Sequence, residues 1–74
     1  MPLVNVRLIE GVFNEDEKRQ MVEKLTETMV EIEGENMRGV TTVVIDEVKS
    51  GDWGLGGTCL TTEHVLGIKN GVPA

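Results

Sequence analysis

The chain has few of the residues that small proteins use to stabilise a limited core. It contains one cysteine, Cys59, and one histidine, His64, so an internal disulfide is excluded and a structural zinc site is not expected. Its aromatic residues are Phe13 and Trp53, so a core must be built mainly from aliphatic side chains. A domain of 74 residues buries only about 60% of the surface that its unfolded chain exposes. Oligomerisation is therefore the expected remedy.

Cations and long apolar runs are also scarce. Seven Lys and Arg residues stand against thirteen Asp and Glu, which gives a net charge of −6. The basic surface that nucleic-acid partners require is therefore not expected. The N-terminal region lacks the basic and apolar segments of a signal peptide, and no apolar run approaches the ~20 residues that span a membrane. We expect a cytoplasmic protein with neither nucleic acid nor a membrane as partner.

The first half of the chain predicts a β-α-β unit. Residues Pro2 to Ile9 alternate as in a strand. A helix is predicted from about Glu15 to Ile32, with Asn14 as N-cap and Glu17 at the spacing of a capping box. The β-branched run Val40 to Glu47 predicts a second strand, parallel to the first. One face of the first strand is apolar and suits packing on the helix; it carries Val4, Val6 and Leu8. The other face is mixed and suits an interface or a site; it carries Leu3, Asn5, Arg7 and Ile9.

The second half begins with a glycine-rich segment, Ser50 to Gly57, which carries the only tryptophan. The segment lacks the Gly-Lys-Ser/Thr ending of a phosphate-binding loop, so it predicts a tight hairpin, and we expect no cofactor and no metal. A helical turn is predicted over Glu63 to Ile68 with Thr62 as its N-cap, and Asn70 to Ala74 is expected to fray. Together these elements predict one α+β domain over residues 1–74.

Pro2 directly follows Met1, and this position has a chemical consequence. Methionine is commonly removed when the next residue is small, and removal would leave Pro2 as a free secondary amine. A free α-amino group has a reference pKa of about 7.7–8.0, which burial or nearby cations lower. Such an amine can act as a base or a nucleophile near neutral pH. The alternative is that Pro2 simply begins an edge strand.

Several of these features together resemble the 4-oxalocrotonate tautomerase family: Pro2 after Met1, a first strand ending in Glu10-Gly11, a capped helix, a β-branched second strand and Ser50-Gly51-Asp52-Trp53-Gly54-Leu55-Gly56-Gly57. The resemblance implies a β-α-β fold with a C-terminal hairpin, paired into four-stranded sheets and assembled into a homo-hexamer from dimers. It implies a small-molecule substrate, a 2-hydroxydienoate or an arylpyruvate-type enol, with Pro2 as general base. Trp53 would form an apolar wall of the site, and Ile9 on the mixed strand face is a further candidate for substrate contact.

The chain departs from the family where substrate carboxylates are usually bound. The typical enzymes carry one arginine just after the Glu-Gly pair and another in the second strand, and the matching positions here are Val12 and Thr42. Neither side chain can replace a bidentate arginine. Arg38 and Arg7 are the candidate substitutes, although Arg38 could equally be a solvated loop residue and Arg7 an interface ion pair. The substrate-binding candidates are therefore Trp53, Arg38, Arg7, Thr42 and Ile9.

Two other functions remain open at this point. Relatives with an N-terminal proline include dehalogenases and hydratases of 3-substituted acrylates, in which the proline is a protonated acid and a carboxylate activates water. Glu47 or Asp52 would have to supply that carboxylate. Some family assemblies are hetero-hexamers in which one chain lacks the arginines and is not catalytic, and the missing pair fits that role as well.

Overall fold

The computed structural model describes residues 1–71, so the end of the segment expected to fray lies outside the described residues. The elements follow in the order β1 (Leu3–Ile9), α1 (Glu15–Glu33), a 3₁₀ helix (Glu35–Val40), β2 (Thr42–Val48), β3 (Trp53–Leu55), β4 (Thr58–Leu60) and α2 (Thr62–Lys69). Strand β1 pairs with β2, and β3 pairs with β4. The predicted α+β fold, a β-α-β unit followed by a C-terminal hairpin, is confirmed.

Strands β1 and β2 run in the same direction. The Thr42 amide at the start of β2 donates to the Pro2 carbonyl just before β1, at 3.1 Å. The Glu10 amide just after β1 donates to the Val48 carbonyl at the end of β2, at 2.8 Å. The start of β1 therefore pairs with the start of β2, and their ends also pair. The two strands are parallel, as a strand–helix–strand connection requires.

The chain divides into two compact units, and each is described by itself. The first comprises residues 1–6 and 14–46, and the second residues 7–13 and 47 onward. Among the described residues the buried apolar side chains are Val30 in the first unit and Ile9 and Val12 in the second. Large apolar side chains stay exposed, among them Leu3 and Ile32. Both cores are thus small, and one domain over residues 1–74 stays a prediction.

Helix α1 is defined by its caps. The Asn14 side chain accepts from the Glu17 amide at 2.8 Å, and the Glu17 side chain accepts from the Asn14 amide at 3.0 Å. This reciprocal pair is the predicted capping box. Gly34 is the C-cap that follows the helix, and its φ of 102° favours glycine. Across residues 1–71 no helix has both the length and the apolar character to cross a membrane.

Two boundaries differ from the predicted ones. Val40, predicted to begin the second strand, closes the 3₁₀ helix instead, and β2 begins at Thr42. The N-cap of α2 is Thr61, whose hydroxyl accepts from the His64 amide at 3.3 Å, so the prediction of Thr62 is wrong. The Thr62 hydroxyl donates instead to the Glu10 carbonyl at 2.6 Å. Thr62 thus forms a tertiary hydrogen bond in place of the capping hydrogen bond that the local sequence predicted for it.

Candidate functional site

Pro2 is half-buried in the first unit, immediately before β1. Its carbonyl accepts the 3.1 Å hydrogen bond from Thr42, so the backbone of Pro2 is fixed by the β1–β2 pairing. The structure therefore places two of the predicted site residues side by side. Met1 is 91% exposed, which leaves the Met1–Pro2 bond open to an aminopeptidase.

A cavity of about 240 Å³ lies within the second unit. It is lined by Arg7, Leu8, Ile9, Phe13, Trp53, Leu60 and Val65. Arg7, Ile9 and Trp53 were all predicted to contact substrate, and the cavity brings them together. Its walls are almost entirely apolar, and Arg7 is the one charged residue that contributes to them. Such a cavity suits a ligand that has an apolar or planar carbon frame.

Short elements position the cavity walls. Trp53 begins β3 and pairs directly with Leu60 of β4, so their side chains lie on the same face of the hairpin. Three hydrogen bonds hold the hairpin and α2 to the end of β1: from the Ser50 amide to the Glu10 carboxylate at 3.1 Å, from the Thr62 amide to the Ser50 hydroxyl at 2.9 Å, and from the Thr62 hydroxyl to the Glu10 carbonyl at 2.6 Å. Glu10, Ser50 and Thr62 thus position the site, although the sequence singled out none of them for this.

Gly11 shows how closely these segments approach. Its φ is +78°, and a Cβ atom on it would lie 2.9 Å from the Thr62 methyl carbon. A side chain there would therefore clash as well as strain the backbone. The glycine after Glu10 is a packing requirement of this corner.

Lys69 is a residue that the sequence analysis missed. Its ammonium donates to the Val12 carbonyl at 3.2 Å and lies 4.9 Å from the centre of the Phe13 ring. Phe13 lines the cavity, as does Val65, one helical turn before Lys69. No local sequence signal predicts this contact, because 57 positions separate Lys69 from Val12.

Arg38 lies in the 3₁₀ helix of the first unit, where two carboxylates bind it. Its guanidinium donates to Glu27 at 2.6 and 3.1 Å and to Glu35 at 2.8 and 3.1 Å. These hydrogen bonds lower the pKa of both carboxyl groups and raise that of Arg38 above its already high value. Four of the five guanidinium N–H groups are used here. A substrate carboxylate would have to displace Glu27 or Glu35 in order to bind Arg38. Arg7 is therefore the more accessible of the two predicted cations.

The Arg38 cluster predicts a pH dependence of stability. Because the folded pKa values of Glu27 and Glu35 are lowered, the stabilisation is complete above the unfolded carboxyl pKa of about 4.3 and is lost as pH falls through the lower folded values. We expect Arg38→Gln to weaken this loss between about pH 5 and pH 3, measured by urea unfolding. Exposure of the cluster keeps the effect small and reduces it further in about 1 M NaCl.

Arg19→Gln is the matched control for that measurement, since Arg19 forms a single exposed contact of 3.5 Å with Asp16. The control should follow the wild-type profile. Equal profiles for Arg38→Gln and Arg19→Gln would contradict the assigned role of the cluster.

Comparison with known proteins agrees with this fold. A family profile described as "Tautomerase enzyme" matches residues 2–63. A probable tautomerase of Dickeya dadantii is 36% identical over 61 residues, covering 82% of this chain and 90% of the relative. A probable tautomerase of Helicobacter pylori strain J99 is 35% identical over 72 residues, covering 95% of this chain and all of the relative (100%).

Solved structures give the same result. One, from a characterisation of the 4-oxalocrotonate tautomerase isozymes of Methylibium petroleiphilum, is 31% identical with a TM-score of 0.69, covering 86% of this chain and 97% of that one. Another, a homologue in the tomaymycin biosynthetic pathway, is 23% identical with a TM-score of 0.70 and shares the fold. The resemblance found in the sequence is confirmed: the chain belongs to the tautomerase enzyme family, and its function is of the tautomerase type.

Proposed function

We propose that the chain is an enol–keto tautomerase, an isomerase in which Pro2 acts as general base once Met1 has been removed. The observation that carries the proposal is the position of Pro2, half-buried, fixed by Thr42 and preceded by an exposed methionine. In the proposed reaction the amine removes the hydroxyl proton of an enol, and the oxygen electrons form the carbonyl. The resulting ammonium then returns a proton to carbon, so the reaction is redox-neutral and needs no cofactor.

The cavity supports a substrate with a planar, largely apolar frame. Trp53 and Ile9 supply apolar contact area, and Arg7, which also lines the cavity, is the residue proposed to bind the substrate's carboxylate. Val12, at one of the family's arginine positions, is buried and carries no charge. An arylpyruvate-type enol, with one carboxylate, fits these walls better than a dicarboxylate that requires two arginines. A 2-hydroxydienoate with a single carboxylate fits equally well.

We also propose that the active form is a homo-oligomer, with a hexamer built from dimers as the expected state. Buried apolar side chains are few in the described part of the chain, whereas Leu3, Leu55 and Ile32 are exposed. Association of subunits would remove such apolar surface from water. In an oligomer, the amine and the cavity that serve one substrate can come from different subunits. Light scattering on the sample used for kinetics measures its mass.

The pH profile of the reaction tests the role of Pro2. The purified chain should catalyse the ketonisation of phenylpyruvate enol, with kcat/KM rising from about pH 5 to pH 8 as the amine loses its proton. Intact-mass spectrometry of the same sample should show that Met1 is absent. Activity that falls with rising pH would contradict a basic proline and indicate the acid role found in hydratases and dehalogenases. An inactive chain with a free Pro2 would instead favour a non-catalytic subunit.

A further inference from the structure

Helix α2 contributes one wall of the cavity in the second unit, and that wall is Val65. The match to the family profile covers residues 2–63, so Val65 lies outside the matched part of the chain. Among the cavity walls in the described residues, it is the only one outside that match. The wall that α2 forms can therefore differ between members of the family while the shared fold is kept.

Hydrogen bonds hold α2 at both ends to the segment that follows β1. At the first residue of the helix, the Thr62 hydroxyl donates to the Glu10 carbonyl at 2.6 Å. At its last residue, the Lys69 ammonium donates to the Val12 carbonyl at 3.2 Å. Val65 stands three positions after Thr62 and four before Lys69, so the three side chains share one face of the helix. The position of Val65 is therefore set from both sides, and its β-branched side chain has few rotamers.

The size of the cavity indicates how large a carbon frame it accepts. Its volume is about 240 Å³, below the ~300–1,000 Å³ that is typical of sites for drug-sized ligands. An apolar cavity of roughly 150 Å³ already holds benzene. The cavity thus has room for one aromatic ring with a short side chain, and a second fused ring requires that a wall move or become smaller.

We propose that Val65 is a specificity-determining residue, whose side chain restricts the cavity to substrates with a single aromatic ring or a conjugated chain of similar size. This inference deepens the proposed function and rests on it for the identity of the reaction. Because α2 is held at both ends, the helix cannot move away from the cavity without breaking those hydrogen bonds. Shortening Val65 is the direct way to admit a larger frame, since it enlarges the cavity and leaves both hydrogen bonds in place.

The test is equilibrium binding of two acids without an enol, trans-cinnamate and 3-(2-naphthyl)acrylate, measured by isothermal titration calorimetry. Both carry the same acrylate group, so the ratio of their Kd values reports the size of the ring system. Wild type should bind cinnamate about tenfold more tightly than naphthylacrylate. Val65→Ala should weaken cinnamate about threefold through lost contact and strengthen naphthylacrylate, so that the preference for cinnamate falls by about tenfold. With phenylpyruvate enol, its KM should rise about threefold while kcat changes less than about twofold.

The matched control is His64→Gln, which changes the exposed neighbour of Val65 on α2 and should keep the wild-type preference. If Val65 only stabilises the packing of α2, Val65→Ala will weaken both acids by the same factor, and this unchanged preference would overturn the proposal. Where Val65→Ala does not fold, Val65→Ile decides. It keeps an apolar side chain and adds one methylene, so the preference for cinnamate should rise about threefold, and an unchanged preference would again overturn the proposal.

Pro2→Ala separates this inference from the proline mechanism. Binding of the two acids needs no base, so Pro2→Ala should keep the wild-type preference. An inactive chain in which Val65→Ala still lowers the preference contradicts the proposed function and supports the role of Val65. An active chain in which Val65→Ala leaves the preference unchanged contradicts the role of Val65 alone.

Discussion

Pro2→Ala is expected to lower kcat/KM for the ketonisation of phenylpyruvate enol by about 10²–10³-fold, within the range that positioned general bases contribute. Alanine also permits removal of Met1 and leaves a free amine, but that amine is primary and its φ is no longer fixed by a ring. The backbone bond from Thr42 to the carbonyl of residue 2 can still form. The loss should therefore fall mainly on kcat, with binding of trans-cinnamate, a conjugated acid without an enol, retained.

Two further samples make this measurement specific to the amine. Lys24→Met changes an exposed lysine of α1 and leaves the amine unchanged, so it should stay close to wild-type activity. A chain with an uncleaved N-terminal extension keeps Pro2 as an amide and should be at least as inactive as Pro2→Ala, because an amide nitrogen is not basic. Wild-type rates in Pro2→Ala or in the extended chain would show that proline is not the base.

The fold was largely predictable because its signals are local. The capping box at Asn14 and Glu17, the β-branched run of the second strand and the glycines around Trp53 each specify their element within a few residues. The 3₁₀ helix was missed because part of its ordering is not local. Arg38 within it is bound by Glu27, eleven positions earlier on α1, and a contact at that distance depends on how the chain turns at Gly34.

The site was predictable in part. As candidates, Pro2, Trp53 and the two positions without arginine follow from the sequence, because a motif locates each of them. That Arg7 and Trp53 line the same cavity requires the end of β1 and the hairpin to come together, which the hydrogen bonds of Glu10 and Thr62 achieve over 52 positions. The contact between Lys69 and Phe13 could not be predicted, because nothing in the local sequence distinguishes a lysine at the end of a short helix from a solvated lysine.

Restoring the family's first arginine is expected to damage the protein. Val12 is 5% exposed, so Val12→Arg must either bury a guanidinium or displace the segment after β1. The new cation would also stand near the Lys69 ammonium, which already donates to the carbonyl of residue 12. We expect a loss of roughly 2–4 kcal/mol in the free energy of unfolding, measured by urea titration at pH 7.

Thr42→Arg is the informative comparison, because it restores the second arginine position at a half-buried site at the start of β2. Its backbone bond to Pro2 does not involve the side chain, so the stability should change by less than about 1 kcal/mol. If Val12→Arg were as stable as wild type and bound cinnamate more tightly, the segment after β1 would be able to hold a cation at this buried position. The absence of the arginine would then reflect the substrate and not the packing around residue 12. If only Val12→Arg unfolds, packing around Val12 now forbids a return to the arginine, and a cation for the substrate has to come from elsewhere in the chain, with Arg7 as the proposed one.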